Sequence, residues 1–578
     1  MLINTRFFAP LIKKFQQHRY LFSILLILLL ALILRFPFLS MFPPAMVQDE
    51  VGLGYSAISI AETGKDEWGE SYPLFFKSFG DYKPPAFIYL TAGLYKLIGW
   101  HQVLPRITSA IAGVFTVFLT ILWIKQITQS KKLGLLAGLI MATSPWAIHL
   151  SRMALESNLA LTFFMAGLLF LSSQKSLKKI ILSAVFFSLS SYTYHSYKYL
   201  IILFLLAYIF SIVAFHFKKL KNQQQLLKNL LFILLLSSFL SLPIFFAKGA
   251  TGRMSQTLLL GSEDSYFTYK YHENNCHITL SKINPRLNII CRAQYNKFTR
   301  PVLTFFDSYL QHLSPGFYFF SGDSKVGRNP TQAGEFYSIL FIFWICGFFK
   351  LLKNPKKQLL LVVGFLTAAI PSAASGELHA IRLSTTIPFM VLTIVIGYEY
   401  FQEKIYKHYL IDYLFVAILL LLTASFSIKY MSITHVGLEN PPTFLSFAKK
   451  VAQIEHDYIE QNYTVYADYD LYPEPHIYYA YWNKIDPVVT QQSFANVLLE
   501  QKGFSRPKQF GERMIFERGS LNLIDCQASE IPKIVYIRKD QINGVTAIRV
   551  VKDNANQYDF AYVYEGWQLC ENSRIKKN

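Results

Sequence analysis

Asp49 and Glu50 are adjacent carboxylates that follow a charge-free apolar run, Tyr20 to Leu34, and further along comes Asp81-Tyr82-Lys83-Pro84-Pro85. Paired acids suit the taking or directing of a proton, and a lysine suits the meeting of an anion. Set just outside a membrane span, such a group points to chemistry at the bilayer surface. The side of the membrane it faces decides what that chemistry can be.

The elements that must position these residues are membrane helices. Of 578 residues, 52% are hydrophobic, with 50 Phe and 36 Tyr. The apolar residues fall in blocks of roughly 17–25, the length that crosses a hydrocarbon core. The blocks run over 20–36, 105–124, 133–148, 157–172, 180–194, 199–216, 229–247, 335–349, 358–373, 383–398 and 409–427, which predicts eleven transmembrane helices. The first lacks a small-residue cleavage site and is expected to be retained. The net charge of +20 does not imply nucleic acid as a partner, because the lysines lie in short clusters between apolar blocks. Clusters around Lys13, Lys125, Lys175, Lys218, Lys350 and Lys404 occupy every even-numbered connection, so the N-terminus is expected in the cytoplasm. An odd span count then puts the tail outside. Letting 84–100 span would break this alternation, so Ala86–Trp100 reads as an interfacial helix started by its two prolines.

The outer parts are then a first loop, 37–104, a large loop, 248–334, and a tail, 428–578. We expect a transmembrane catalytic domain over 1–427 and a small extracytoplasmic α/β domain over 428–578. In the tail, Pro442–Tyr458 reads as helix. Tyr463–Ala467, His476–Trp482, Lys533–Arg538, Val545–Val551 and Phe560–Tyr564 read as strands. Cys276 and Cys291 share one outer loop and Cys526 and Cys570 share the tail, so two disulfides are open, as are four unrelated thiols.

With orientation assigned, the isolated polar residues share one side: Asp49, Glu50, Asp81, Lys83 and Arg106; His149, Arg152 and Glu156; His195 and Lys198; His379 and Arg382. Charges at membrane ends are costly unless paired, solvated or functional. Each has a plainer reading. Arg106 can snorkel at a helix start, and Arg152 and Glu156, spaced i,i+4, can pair with each other. His149 and His195 can be interfacial hydrogen-bonders. Lys198 can meet lipid phosphate, and Glu50 can be a helix-start charge. Asp49 is the hardest to explain that way.

In this order the motifs resemble a GT-C-fold glycosyltransferase of the protein O-mannosyltransferase and aminoarabinose (lipid A) transferase type, family 39-like, in a bacterial form. The matching stretches are Gln48-Asp49-Glu50, Asp81-Tyr82-Lys83-Pro84-Pro85-Ala86-Phe87-Ile88-Tyr89, Leu104-Pro105-Arg106-Ile107-Thr108-Ser109-Ala110, and Gly134-Leu135-Leu136-Ala137-Gly138 leading into Ser144-Pro145-Trp146 and Ser151-Arg152-Met153-Ala154-Leu155-Glu156. Arg382 opening a span with Pro388 behind it also fits. The match covers the first part of the chain well, the later spans by layout, and the tail hardly at all. Family members often carry Arg and Asp where this chain has Met153, Leu155 and Glu156. The metal-binding Asp-x-Asp of oligosaccharyltransferases is missing beside Asp49, and Asp468-x-Asp470 reads as chance.

The resemblance implies a sugar donor carried on polyprenyl phosphate and an acceptor hydroxyl on protein, lipid or glycan, at the outer face of a prokaryotic plasma (inner) membrane. It makes Asp49 the candidate base, with Glu50 orienting it or the acceptor. Lys83 comes first for the donor phosphate, then Arg106, Arg382 and Arg328. Asp81, Tyr82, His149, Arg152, Glu156, His195, Lys198 and His379 are further cavity candidates. No cofactor or metal is expected, since side-chain cations suffice for a monoanionic phosphodiester leaving group. The competing reading is a transporter or flippase of a lipid-linked sugar. Such a protein should carry midplane charges or internal repeats, and here the acids lie in a loop.

Overall fold

The structure is a computed structural model, mainly helical, and describes residues 18–78, 81–174, 176–247, 263–296, 299–353, 355–404, 410–432, 445–472, 474–495, 507–517, 533–552 and 559–575. It divides into two compact units, one of Met1–Pro37, Ser109–Ser151 and Leu155–Ser427, the other of Phe38–Thr108, Arg152–Ala154 and Ile428–Asn578.

In the first unit the apolar blocks are helical. Across the described residues five helices are long and apolar enough to cross a membrane: Leu104–Thr128, His195–Phe215, Leu220–Phe246, Ala380–Lys404 and Leu410–Met431. A sixth arises if Lys131–Thr143 and Pro145–Arg152, bent by 57°, count as one span. The bend follows from the sequence. Pro145 has no N–H to continue the helix, so late carbonyls of the first segment lose their partners. Arg35, fully buried, supplies them: its guanidinium donates to the Met141 carbonyl at 3.1 Å, to that of Ala142 at 3.0 Å and to Ser151 Oγ at 3.2 Å. Helices Leu340–Lys353 and Ile387–Lys404 cross closely through glycines. A Cβ on Gly347 would land on the Thr393 carbonyl and one on Gly397 on that of Phe343. The expected span 335–349 starts later, at Leu340, and leaves Glu335 ahead of the helix.

The second unit has an apolar core to which the first loop and the tail both contribute. Val51, Tyr55 and Ile58 of the Gln48–Thr63 helix pack with Val451, Ile454, Ile477, Tyr478 and Tyr481 of the tail. Hydrogen bonds reinforce the packing. Tyr55 Oη donates to the Ile485 carbonyl at 2.8 Å, and Tyr478 Oη to that of Met46 at 3.1 Å. The Pro85–Ile98 helix starts at its prolines as expected and buries Phe87, Ile88, Thr91 and Ala92 along one face. Before it, strands β1 (Phe76–Ser78) and β2 (Asp81–Lys83) pair antiparallel, Phe76 opposite Lys83 and Lys77 opposite Tyr82.

The tail carries a six-stranded mixed sheet of β3 (Thr464–Asp468), β4 (Gln509–Phe510), β5 (Met514–Glu517), β6 (Ile534–Arg538), β7 (Arg549–Lys552) and β8 (Asp559–Glu565), in the order β4-β5-β3-β6-β8-β7. β3 runs parallel to β5 and β6; the other pairs are antiparallel. One expected strand is wrong: His476–Trp482 belongs to the helix Pro475–Trp482. Pro475 starts it at a position needing no N–H, and residues 475 to 481 are all buried, so no one-sided pattern marked the period. The strand expected over 545–551 narrows to Arg549–Lys552, and the tail's first helix is described from Ala448 to Glu460. Cys276 and Cys291 are disulfide-bonded, and Cys526 lies outside the described residues.

Candidate active site

Asp49 sits in the first turn of the Gln48–Thr63 helix, and Lys83 ends β2. The fold brings them together: Lys83 Nζ lies 3.0 Å from Asp49 Oδ1. The lysine side chain is 9% exposed and the aspartate 47%, so the carboxylate faces the outside of the unit over a cation held from within. Tyr82 precedes Lys83 in the strand. Asp81 pairs in register with Ser78.

Glu50, the next residue on the helix, turns into the unit and is fully buried. Its carboxylate accepts four hydrogen bonds: from Arg106 Nε at 2.8 Å, Arg106 Nη2 at 2.7 Å, the Ala154 N–H at 2.7 Å and the Val47 N–H at 3.0 Å. The last closes the start of the helix, as an N3 glutamate does. Arg106, also fully buried, uses its remaining N–H groups on the carbonyls of Leu39, Pro43 and Ala45. A guanidinium has five N–H donors, and all five are engaged. Arg152 adds bonds to the carbonyls of Phe42, at 2.9 Å, and Phe38, at 3.3 Å, with Tyr430's ring 5.7 Å away. Two guanidiniums thus hold the segment 38–45 that leads into Asp49. This revises two expectations. Glu50 is spent on the guanidinium rather than on Asp49, and Arg106 has no donor left for a phosphate.

The other candidates lie in the first unit. Arg328 Nη1 is 2.8 Å from Glu377 Oε1 and 3.7 Å from Asp323 Oδ2. Asp323 accepts from the Ala380 N–H at 2.9 Å, at the start of the short helix Ala380–Leu383 that bears Arg382 and follows His379. His149 Nε2 bonds the Gly327 carbonyl at 3.1 Å. Hydrogen bonds thus tie His149, and the start of the helix that bears Arg382, to the segment 323–335, which itself carries Arg328. Glu335, 2% exposed, ends that segment and accepts from the Asp323 N–H and from Asn329, both at 3.1 Å. Burial, with the charge of Asp323 adding to it, pushes the Glu335 carboxyl up to about 8. Glu156 opens the helix Glu156–Leu171 and is buried. His195 opens His195–Phe215, and Lys198, one turn on, is buried beside the rings of Tyr199 and Phe245.

Sequence reasoning missed Arg35, Asp323 and Glu335. Arg35 had a usable signal, a guanidinium closing an apolar run, and Glu335 stood as an acid at a span's edge. Asp323 had none. Among the described residues no three His, Cys, Asp or Glu side chains are grouped to hold a metal ion.

Residues 82–242, which include Lys83, Arg106 and Arg152, match the family model of dolichyl-phosphate-mannose-protein mannosyltransferases. The match bears out the resemblance to glycosyltransferases of the protein O-mannosyltransferase type, over under a third of the chain. No curated protein sequence matches it. Among solved structures, the archaeal oligosaccharyltransferase AglB from Archaeoglobus fulgidus, with an inhibitory peptide and a dolichol-phosphate, is similar at TM-score 0.48 and 11% identity, over 81% of this chain and 64% of that one. ArnT from Cupriavidus metallidurans bound to undecaprenyl phosphate is similar at TM-score 0.43 and 12% identity, over 82% and 77%. The chain spans less than two thirds of the archaeal enzyme's length.

Proposed function

We propose that the chain is an inverting glycosyltransferase that moves a sugar from a polyprenyl-phosphate donor to an acceptor hydroxyl at the outer membrane surface. The single observation that carries this reading is the Asp49–Lys83 pair, a half-exposed carboxylate 3.0 Å from a buried ammonium. Asp49 takes the acceptor's proton as its oxygen attacks the anomeric carbon. The donor phosphate replaces Asp49 at Lys83, so that the two stand on opposite sides of the sugar; the bond from the anomeric carbon to phosphate oxygen breaks on the face away from Asp49, and the electron pair leaves with polyprenyl phosphate. Lys83 stabilises the charge that grows there. Glu50, Arg106 and Arg152 position the segment that carries Asp49. Side-chain cations serve a monoanionic leaving group, so the reaction as proposed needs no metal.

The proposed topology has eleven spans, a cytoplasmic N-terminus and an outer tail, in a prokaryotic plasma membrane. The alternation of lysine clusters supports it.

Purified protein in detergent, given polyprenyl-phosphate sugars with a chelator present, should release polyprenyl phosphate. Asp49→Asn should abolish release while donor binding stays near normal. Full activity in that variant would remove Asp49 from the role. Donor bound by the parent protein with no release, chelator or not, would favour a carrier of lipid-linked sugars.

A further inference from the structure

The second unit holds another polar group that the Asp49–Lys83 pair does not use. A cleft of about 210 Å³ is lined by Ser40, Gln102, Ser446, Lys449, Lys450 and Trp482, among others. Lys449 Nζ stands 4.7 Å from the centroid of the Trp482 ring and donates to Gln102 Oε1 at 3.2 Å. Lys450 Nζ reaches the Lys552 carbonyl at 3.4 Å. Among the described residues neither lysine makes an ion pair. Partial burial lowers the Lys449 ammonium's proton affinity.

Two more donors are left over. Ser446, 8% exposed, has a buried hydroxyl, and Trp482 a buried indole nitrogen, neither with a hydrogen-bond partner among the described residues. Among the described residues the only other charged side chain in the lining is Arg106, already matched by Glu50, and no carboxylate lines the cleft. Donors buried without acceptors and cations without a counter-ion are unfavourable as they stand, and an acceptor-only anion would satisfy them together.

We propose that this cleft is a binding site for an oxyanion, a phosphate or carboxylate group, with Lys449, Ser446 and the Trp482 indole N–H as its donors. It is separate from the Asp49–Lys83 pair and does not depend on the transferase reading. The phosphate could be free or part of a lipid headgroup, and the chemistry of recognition is the same.

The test uses full-length protein in phosphatidylcholine nanodiscs, with its 7 tryptophans labelled as 5-fluorotryptophan and the Trp482 resonance assigned by Trp482→Phe. Titration with inorganic phosphate, and separately with acetate, at constant ionic strength held by chloride, should shift that fluorine signal saturably, with half-saturation in the millimolar range. Lys449→Gln should weaken the response about ten-fold and Ser446→Ala less, while Lys449→Arg keeps it. A second set of nanodiscs containing phosphatidylglycerol, without added phosphate, reads the lipid source: a pre-shifted signal assigns the site to headgroups, an unshifted one to soluble anions. A signal that moves no more with phosphate, acetate or phosphatidylglycerol than with chloride would overturn the proposal. So would a Lys449→Gln variant that titrates like the parent. The parent's own titration decides even if a variant fails to fold.

Discussion

At the scale of single residues, neighbours in sequence have opposite tasks. Asp49 and Glu50 are adjacent, yet one is half-exposed on a lysine and the other is fully buried on an arginine. Consecutive positions on a helix point about 100° apart, so a carboxylate pair need not act as a pair. The two should therefore fail differently. Under the proposed function Lys83→Ala removes one charged contact to the leaving group, and it should then lower transfer about a hundred- to thousand-fold, as single oxyanion-type contacts do. A change within about two-fold in a donor-saturated assay would mark a structural lysine. Glu50→Gln breaks a bidentate pair with no solvent to replace it. Removing one partner of a buried pair typically costs about 3–5 kcal/mol. Denaturant unfolding of that variant should show a loss of this order, and an unchanged midpoint would mean the arginine finds another acceptor.

At the scale of elements, the Gln48–Thr63 helix is the piece on which the site depends. Glu50 closes its start, and Gly64, at φ +71°, closes its end with an N–H to the Ile60 carbonyl. A Cβ on Gly54 would stand 2.7 Å from the fully buried Tyr481 ring. Gly54→Val should then destabilise the unit by about 1–3 kcal/mol through overpacking, read as a lowered thermal midpoint. The tail helix Ala448–Glu460 carries a pH-dependent group. Glu455 is fully buried, neither oxygen has a hydrogen-bond partner, and burial pushes its carboxyl up to about 8. An unfolded glutamate titrates near 4.3, so between these values the native state holds a proton that the unfolded chain releases. The contribution is whole below about pH 4 and is lost as pH rises toward about 8, at up to about 1.4 kcal/mol per unit. Thermal melts should fall over that range, and Glu455→Gln should flatten the slope. A parent whose midpoint does not change with pH would show that water or a cation reaches the carboxyl.

At the scale of the whole molecule, residues 38–108 and the tail fold as one unit. Their common core puts Val51, Tyr55 and Ile58 against Ile477, Tyr478 and Tyr481. Deleting 445–578 would expose those first-loop side chains. Chymotrypsin should then cut at Tyr55 about ten-fold faster or more than in the full chain, since local opening sets cleavage where contacts are lost. An equal rate would mean the loop is ordered without the tail. Transfer activity should fall with the deletion, because the tail buries the far side of the helix that bears Asp49.

Much of this was legible from residue types alone. Apolar blocks of span length, lysine clusters at alternate connections, and paired prolines opening a helix are local patterns, governed by the bilayer's thickness and by backbone chemistry within a few residues. The candidate pair Asp49 and Lys83 was legible too, because charges beside apolar segments stand out. Tertiary structure decided what local pattern cannot carry. It turned Glu50 and Arg106 inward onto each other across 56 positions of sequence. It spent Arg35 on carbonyls freed by Pro145 and made the expected strand His476–Trp482 a helix in which every residue from 476 to 481 is buried. A hydrogen bond's partner and a helix's buried faces depend on residues far away in the chain, and no spacing along it encodes them.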